Sequence, residues 1–260
     1  MNEAKVNRSA GVSDEQDCST GAGNLGKKTT QGLIWSLLGQ LLNKGTTMLT
    51  LMILARILTR ADFGVIATTT IVIDLLSPYR DLGLGQALIQ NRENFKTAAN
   101  SVFTVNLLTG LFLTLLVFLS APFVGAYFES KTVVPLLEWL SLIFIINALG
   151  SVHISILKRE LDYRKKMIPD LGGALVKAGV SLSMAYSGFG VWSIIWGQLS
   201  GLVVSVILAW AVVNWRPKLM IDMAMTKKFL RFGASVMGVN TISVVTANLS
   251  FIIIGKVCGM

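Results

Sequence analysis

The chain has 260 residues, of which 53% are hydrophobic and only 14% charged, and its formal net charge is +9. Soluble domains carry roughly 25% charged residues, so this composition, with a mean hydropathy of +0.64, excludes an ordinary soluble protein. A nucleic-acid-binding protein is also excluded, because such proteins gather basic residues on one soluble face. The sequence therefore predicts an all-α, polytopic membrane helix bundle with the lipid bilayer as its first partner.

The first 29 residues are polar and contain neither a basic start nor an apolar stretch typical of a cleaved signal peptide. We expect them to form a disordered cytoplasmic tail. Cys18 lies in this tail and Cys258 lies next to the last residue, so the cysteines do not suggest a disulfide framework or a metal site. With a single histidine in the chain, we expect no metal centre.

A membrane-spanning helix needs about 20 mostly apolar residues, and the sequence offers about seven such segments. They are Gly32–Leu58, Phe63–Leu76, Ala98–Phe118, Leu136–Ile156, Met167–Ser187, Val191–Val213 and Phe232–Gly255. The second segment is short, and we expect it to continue through Ser77, Pro78 and Tyr79 with a bend at the proline. The glycines of the following DLGLG stretch then let the chain turn away.

The positions of the basic residues give the orientation, because cytoplasmic loops carry an excess of Lys and Arg. Seventeen of the 23 fall on the side of the N-terminus, in the tail and in the loops after the second, fourth and sixth helices. This predicts a cytoplasmic N-terminus. Trp192, Trp196, Trp210 and Trp215 lie near the two ends of the sixth helix, as interfacial aromatic residues do. His153, near the inner end of the fourth helix, is expected to be an interfacial histidine. The segment Lys218–Leu230 is expected to be an amphipathic helix on the inner leaflet.

Polar side chains form a stripe along most of these helices. Gln40, Asn43 and Lys44 lie close together on the first helix, Asp74 lies on the second, and Lys177 lies on the fifth. Charged residues within a membrane normally face the bundle interior or a wet cavity. We therefore expect these five residues to line a polar, positively charged substrate cavity. The alternative is that the same groups, as a Lys44–Asp74 pair for example, only hold the helices together.

Two strings in the first third of the chain resemble a known family. The turn ARILTRADFG contains Arg56, Asp62, Phe63 and Gly64, and the segment DLGLGQALIQ contains Asp81 and Gly83. Together with their spacing and the helix count, they are similar to the start of polysaccharide exporters and Wzx-type flippases of the multidrug/oligosaccharidyl-lipid/polysaccharide superfamily, and most similar to the colanic acid exporter branch.

The resemblance implies two lobes of helices around a central cavity, alternating access, and a location in the bacterial inner membrane. Residues 30–215 would form the first, six-helix lobe, and residues 216–260 an amphipathic linker and the truncated start of the second. The implied substrate is an undecaprenyl-diphosphate-linked oligosaccharide for surface polysaccharide synthesis, with a polysaccharide polymerase and chain-length machinery as partners. No cofactor is implied, although H⁺ or Na⁺ could act as a coupling ion.

Two alternatives stay open. The chain could be a cation-coupled multidrug extruder of the same superfamily, or an inactive fragment, because family members are about twice as long. A membrane-embedded polymerase or glycosyltransferase is disfavoured, since the predicted outer loops are too short for an extramembrane catalytic site. We therefore expect a transporter and not an enzyme.

Overall fold

The structure is a computed structural model that describes residues 35–90, 95–128, 130, 132–220, 222, 226, 227, 238 and 246. The expected disordered tail, almost all of the seventh predicted span, and Cys258 lie outside the described residues. So do most of the positions after Asp222 at which the amphipathic helix was expected.

The described chain folds into helices joined by short turns, and none of its residues forms a strand. Residues 35–57 form α1. The later helices are α2 (Arg60–Leu76), α3 (Leu84–Gln90), α4 (Phe95–Tyr127), α5 (Val133–Arg159), α6 (Tyr163–Tyr186) and α7 (Trp192–Val212), with a 3-10 turn at Ser77–Tyr79. The all-α fold class is confirmed. The predicted bounds of the sixth span agree with α7 within one residue at each end, whereas α4 is longer at both ends than expected.

Helix α5 lies at the centre of the bundle. Its first half, with Leu136 and Phe144, packs in one apolar cluster with α4 and α7. Its second half, with Val152 and Leu157, packs in another with α3 and the start of α4. Since lipid tails are as apolar as these side chains, the helices are held by close packing and not by exclusion of water.

The second predicted span is extended by a bend, as expected from Pro78. The chain passes from α2 through the 3-10 turn and then through Leu82 and Gly83, whose φ angles are 50° and 68°. The DLGLG stretch turns the chain away from the second predicted span, as expected from its glycines. Leu84, Ala87 and Leu88 form one buried face of α3, which returns the chain to the core.

Four stretches of the described chain are long and apolar enough to cross a membrane: Ala61–Gln90, Phe95–Tyr127, Val133–Arg159 and Trp192–Val212. Helices α1 and α6 occupy the positions of two further predicted spans and carry the intramembrane lysines Lys44 and Lys177. Large apolar side chains on α4 are exposed, among them Phe112 and Phe118, and a bilayer would cover them. The chain is a multi-pass membrane protein.

The segment that follows α7 changes the start of the predicted amphipathic helix Lys218–Leu230. Residues 213–220 and Asp222 are not helical, whereas Thr226 and Lys227 are. The backbone N–H of Lys218 donates to Asn100 Oδ1 at 3.1 Å, the N–H of Asp222 donates to Ser101 Oγ at 3.1 Å, and Thr104 Oγ1 donates to the carbonyl of Met220 at 3.3 Å. These buried polar side chains of α4 bind the backbone of this segment, so its non-helical residues Lys218, Met220 and Asp222 lie against α4.

His153 packs among aromatic side chains inside the bundle. The imidazole is fully buried, stacks on Trp210 with ring centroids 4.7 Å apart, and meets the edge of Trp215 at 5.3 Å. The Trp210 indole N–H donates to the carbonyl of Leu149 at 2.9 Å, so this ring joins α7 to α5. His153 is therefore a packing residue between two helices, and its depth in the membrane stays a prediction.

Candidate substrate cavity

Two parallel helices, α1 and α6, form part of the wall of a cavity. Near their N-terminal ends Gly39 lies against Met167, and further along Leu54 packs in one cluster with Ala185, so the two helices run in the same direction. The Asn43 side-chain N–H donates to the main-chain carbonyl of Asp170 at 3.2 Å. This hydrogen bond fixes the polar face of α1 against the first turns of α6.

The first turns of α6 are ordered by charged side chains. Asp162 is the N-cap, and its carboxylate accepts from the Lys165 backbone N–H at 3.1 Å and from the Lys165 ammonium at 2.8 Å. Burial by itself raises the pKa of Asp162, but the hydrogen bonds and the charge of Lys165 outweigh it and lower the pKa below its ordinary value. One turn later, the Lys166 ammonium forms an ion pair with the Asp170 carboxylate.

Between α1, α3, α5 and α6 lies a cavity of about 520 Å³, called here the large cavity. Its charged lining residues are three lysines and one aspartate, so its local field is positive. The complete lining consists of Trp35, Ser36, Gly39, Gln40, Asn43, Lys44, Ile89, Lys158, Leu161, Tyr163, Lys166, Met167 and Asp170.

A second cavity of about 230 Å³, called here the small cavity, lies among α5, α6, α7 and the turn before α3. Lys158 and Asp170 line both cavities, so the two share a wall. The lining of the small cavity is mostly small or polar: Arg80, Asp81, Asn147, Gly150, Ser151, Ile154, Ser155, Lys158, Asp170, Leu202, Ser205, Val206 and Ala209.

The structure brings together three of the five predicted cavity residues. Gln40, Asn43 and Lys44 line the large cavity, but Asp74 and Lys177 line neither cavity. Asp74 is exposed on α2, and no ion pair joins it to Lys44, although both residues are described. The stem of Lys177 packs against α7, where a Cβ added to Gly201 would lie 2.6 Å from the Lys177 Cβ. A shared helix face was therefore not enough to place these two residues.

The residues of the first family string act as a helix cap. The Asp62 carboxylate accepts from the Thr59 backbone N–H at 2.9 Å, and Thr59 Oγ1 accepts from the Asp62 N–H at 3.3 Å. This reciprocal pair is a capping box at the start of α2. Phe63 packs beside it in the cluster of Leu54 and Leu58. Arg56 is exposed, and a Cβ on Gly64 would meet no atom within 4 Å.

The residues of the second string form the turn before α3. Asp81 Oδ1 accepts from the Gly83 N–H at 3.1 Å, and Gly83 takes a positive φ that a residue with a side chain rarely adopts. A Cβ on Gly85 would lie 3.0 Å from Ser155 Oγ, so α3 approaches α5 closely there. Asp81 also lines the small cavity, which gives this string a place in the site.

Three members of the charged lining were not predicted from the sequence. Lys158 and Lys166 were counted only among the basic residues that give the orientation, and Asp170 lies on the same face as Lys177 but was not assigned to the cavity. One signal was available, because Lys166 and Asp170 are four residues apart and such residues meet on a helix. The contribution of Lys158 depends on how α5 meets α6, which no local pattern gives.

The fold and this cavity define a class: an all-helical, multi-pass membrane protein with a polar cavity within its bundle. A family model described as polysaccharide biosynthesis protein matches residues 53–260, and the chain belongs to this family. The described helices also resemble a solved structure of a MATE protein in complex with Br-NRF. Its TM-score is 0.67 at 16% sequence identity, over 89% of this chain and 58% of that one. At this identity the likeness concerns the fold alone.

Curated relatives are similar over much of this chain. The succinoglycan biosynthesis transport protein ExoT of Rhizobium meliloti is 27% identical over 90% of this chain and 47% of its own length. The lipopolysaccharide biosynthesis protein WzxC of Escherichia coli is 24% identical over 91% and 48%. The teichuronic acid biosynthesis protein TuaB of Bacillus subtilis is 24% identical over 69% and 38%. The chain thus spans about half or less of the length of these relatives.

Proposed function

We propose that this chain forms the first lobe of a transporter that moves an undecaprenyl-diphosphate-linked oligosaccharide from the cytoplasmic to the outer leaflet of the bacterial inner membrane, for surface polysaccharide synthesis. The observation that carries the proposal is the large cavity, in which Lys44, Lys158 and Lys166 converge from three helices. Membership of the polysaccharide biosynthesis family and the printed names of the relatives, one of which is a transport protein for succinoglycan biosynthesis, support it.

The charge of the cavity suits the proposed headgroup. A diphosphate diester carries two negative charges, and the three lysines that line the large cavity attract it through their combined positive charge. The cavity lies where α5 ends and α1 and α6 begin, beside the basic loop from Lys158 to Lys166. The excess of positive charge favours a cytoplasmic location for this end, and the headgroup would therefore load from the cytoplasm.

The other components follow from the same proposal. The lipid bilayer holds the polyprenyl chain, and a polysaccharide polymerase with its chain-length machinery would receive the oligosaccharide on the outer side. The chain would act by alternating access and not by covalent chemistry. H⁺ or Na⁺ would be the coupling ion.

A multidrug extruder is the second candidate, since the fold is shared with a MATE protein. The chemistry of the large cavity separates the two. A cavity with three lysines and one aspartate repels organic cations and attracts anions. We therefore expect cells that lack the protein to show unchanged efflux of cationic dyes.

The test is deletion in a polysaccharide-producing strain, followed by complementation with variants. We expect deletion to abolish surface polysaccharide and to accumulate lipid-linked repeat units on the inner leaflet. Lys166→Ala should fail to restore surface polysaccharide fully, whereas Lys165→Ala should restore it. Lys165 is the matched control, since it follows the same loop and forms its ion pair with Asp162 outside the cavity. Normal polysaccharide without accumulation in the deletion strain would contradict the proposal.

A further inference from the structure

The large and small cavities share Asp170, which is the single acidic residue among the described residues that line the large cavity. Its carboxylate is occupied by the Lys166 ammonium, whose side chain is 22% exposed, while that of Asp170 is 33% exposed. Neither Lys44 nor Lys158, the other two lysines of this lining, has an ion pair with a described residue. One of the three lysines is therefore already neutralised by the protein itself.

Lys166 can make only one of two interactions at full strength. Its ammonium is a compact charge that pairs with the Asp170 carboxylate or with an anionic oxygen of a ligand in the large cavity. Asp170 sits one helical turn away on the same helix, so it is always present at high local concentration. An anionic ligand must displace this carboxylate before it can bind Lys166, the third lysine of the cavity.

We propose that Asp170 competes with the ligand's phosphate groups for Lys166. It pairs with Lys166 when the cavity is empty, lowers the affinity of the cavity for the anion, and so permits release. This inference depends on the proposed function, since it assumes that the large cavity binds a diphosphate headgroup. A transporter with three unpaired lysines would bind the diphosphate headgroup more tightly and release it more slowly. Rapid turnover needs release as much as binding.

The carboxylate charge can be removed without disturbing the joint between α1 and α6. Asn43 bonds to the main-chain carbonyl of Asp170 and not to its side chain. Asp170→Asn keeps the size of the side chain and this hydrogen bond, and removes only the negative charge. Other charges near this wall are Lys44 on α1, Lys158 on α5, and Arg80 and Asp81 before α3; the residues of α7 that line the wall are uncharged.

The test is calorimetric titration of the protein in lipid nanodiscs with inorganic pyrophosphate. Because a partly exposed pair contributes modestly, we expect Asp170→Asn to tighten pyrophosphate binding by about three- to tenfold. Lys166→Gln should weaken pyrophosphate binding. Adding Asp170→Asn to Lys166→Gln should change the pyrophosphate affinity by less than about twofold, because the Asp170 carboxylate then has no Lys166 ammonium to pair with. Asp162→Asn is the matched control: it removes the acid of a similar pair outside the cavity, and it should leave binding unchanged.

Unchanged or weaker binding by Asp170→Asn, with Lys44→Gln still weakening pyrophosphate binding, would overturn the competition and leave the anion site intact. The same gain in the Lys166→Gln background would also overturn it, since Asp170 would then act through its general field. If pyrophosphate does not bind the unaltered protein, or if no lysine variant weakens pyrophosphate binding, the proposed function fails as well. Asp170→Ser provides a second charge-removing variant should Asp170→Asn fold poorly.

Discussion

The Asn43 amide of α1 donates to the Asp170 carbonyl of α6 at 3.2 Å, and this is a side-chain hydrogen bond between the two helices that frame the large cavity. Asn43 was predicted from the sequence to line the cavity, whereas Asp170 was not. We expect Asn43→Ala to cost about 1 kcal/mol of stability, as for a typical interhelical hydrogen bond in a membrane. Thermal unfolding in detergent would measure it. Gln40→Ala is the control, because the hydrogen bond described for its side chain is donated to Ser36 on its own helix, and an equal loss there would contradict the assignment.

The capping box of α2 gives a second expectation. Thr59→Ala removes the side chain that accepts from the Asp62 N–H, and loss of an N-cap typically costs about 1 kcal/mol. Asp62→Ala should cost a similar amount, and the double variant less than the sum, because both residues serve one motif. Thermal unfolding of the three variants would measure these differences. Additive losses would mean that Asp62 has a second role.

Gly64 belongs to the family string, yet the described structure gives it no steric role. It is exposed in α2, and an added Cβ would meet no atom within 4 Å. Since Ala favours a helix over Gly by about 1 kcal/mol, we expect Gly64→Ala to raise the unfolding temperature. Surface polysaccharide produced by this variant gives an independent measurement. Loss of transport with raised stability would show that another part of the transporter packs on Gly64.

The contact between α6 and α7 depends on glycine. A Cβ on Gly201 would lie 2.6 Å from the Lys177 Cβ and 2.7 Å from the Gly173 carbonyl oxygen. Backbone cannot move aside as a flexible side chain can, so we expect Gly201→Ala to cost about 1–3 kcal/mol. Gly179→Ala on α6 is the matched control, because a Cβ there meets nothing within 4 Å. Equal unfolding temperatures for the two variants would contradict the close approach.

Asp162 predicts a pH dependence. Its pKa in the folded protein is lowered from 3.8 because the hydrogen bonds and charge of Lys165 outweigh the effect of burial, which by itself raises it. A lowered pKa means that Asp162 contributes stability above its unfolded pKa and loses this contribution as the pH falls through the folded pKa. Thermal unfolding between neutral pH and pH 3 should therefore fall more steeply for the native chain than for Asp162→Asn, which keeps a capping side chain. Parallel curves would contradict the assignment.

The sequence predicted the positions of the helices better than it predicted which helices pack against one another. The number and order of the described spans follow from apolar run length, and Lys44 and Asn43 follow from the rule that intramembrane polar groups turn inward. Asp74 obeys the same periodicity but lies on an exposed face, because a helix pattern says which residues share a face and not which neighbour covers it. Lys158 and Asp170 line the same two cavities only because α5 packs against α6. The capping box of Thr59 and Asp62 was readable from spacing alone.

The segment after α7 is held at two places. The Arg216 guanidinium donates to the carbonyls of Trp210 and Val213 at the end of α7, whereas Lys218, Met220 and Asp222 are bonded to α4. Any swing of the chain beyond Asp222 would therefore turn about a pivot next to α4. A force applied there would pull first on Asn100, Ser101 and Thr104, near the basic end of the bundle.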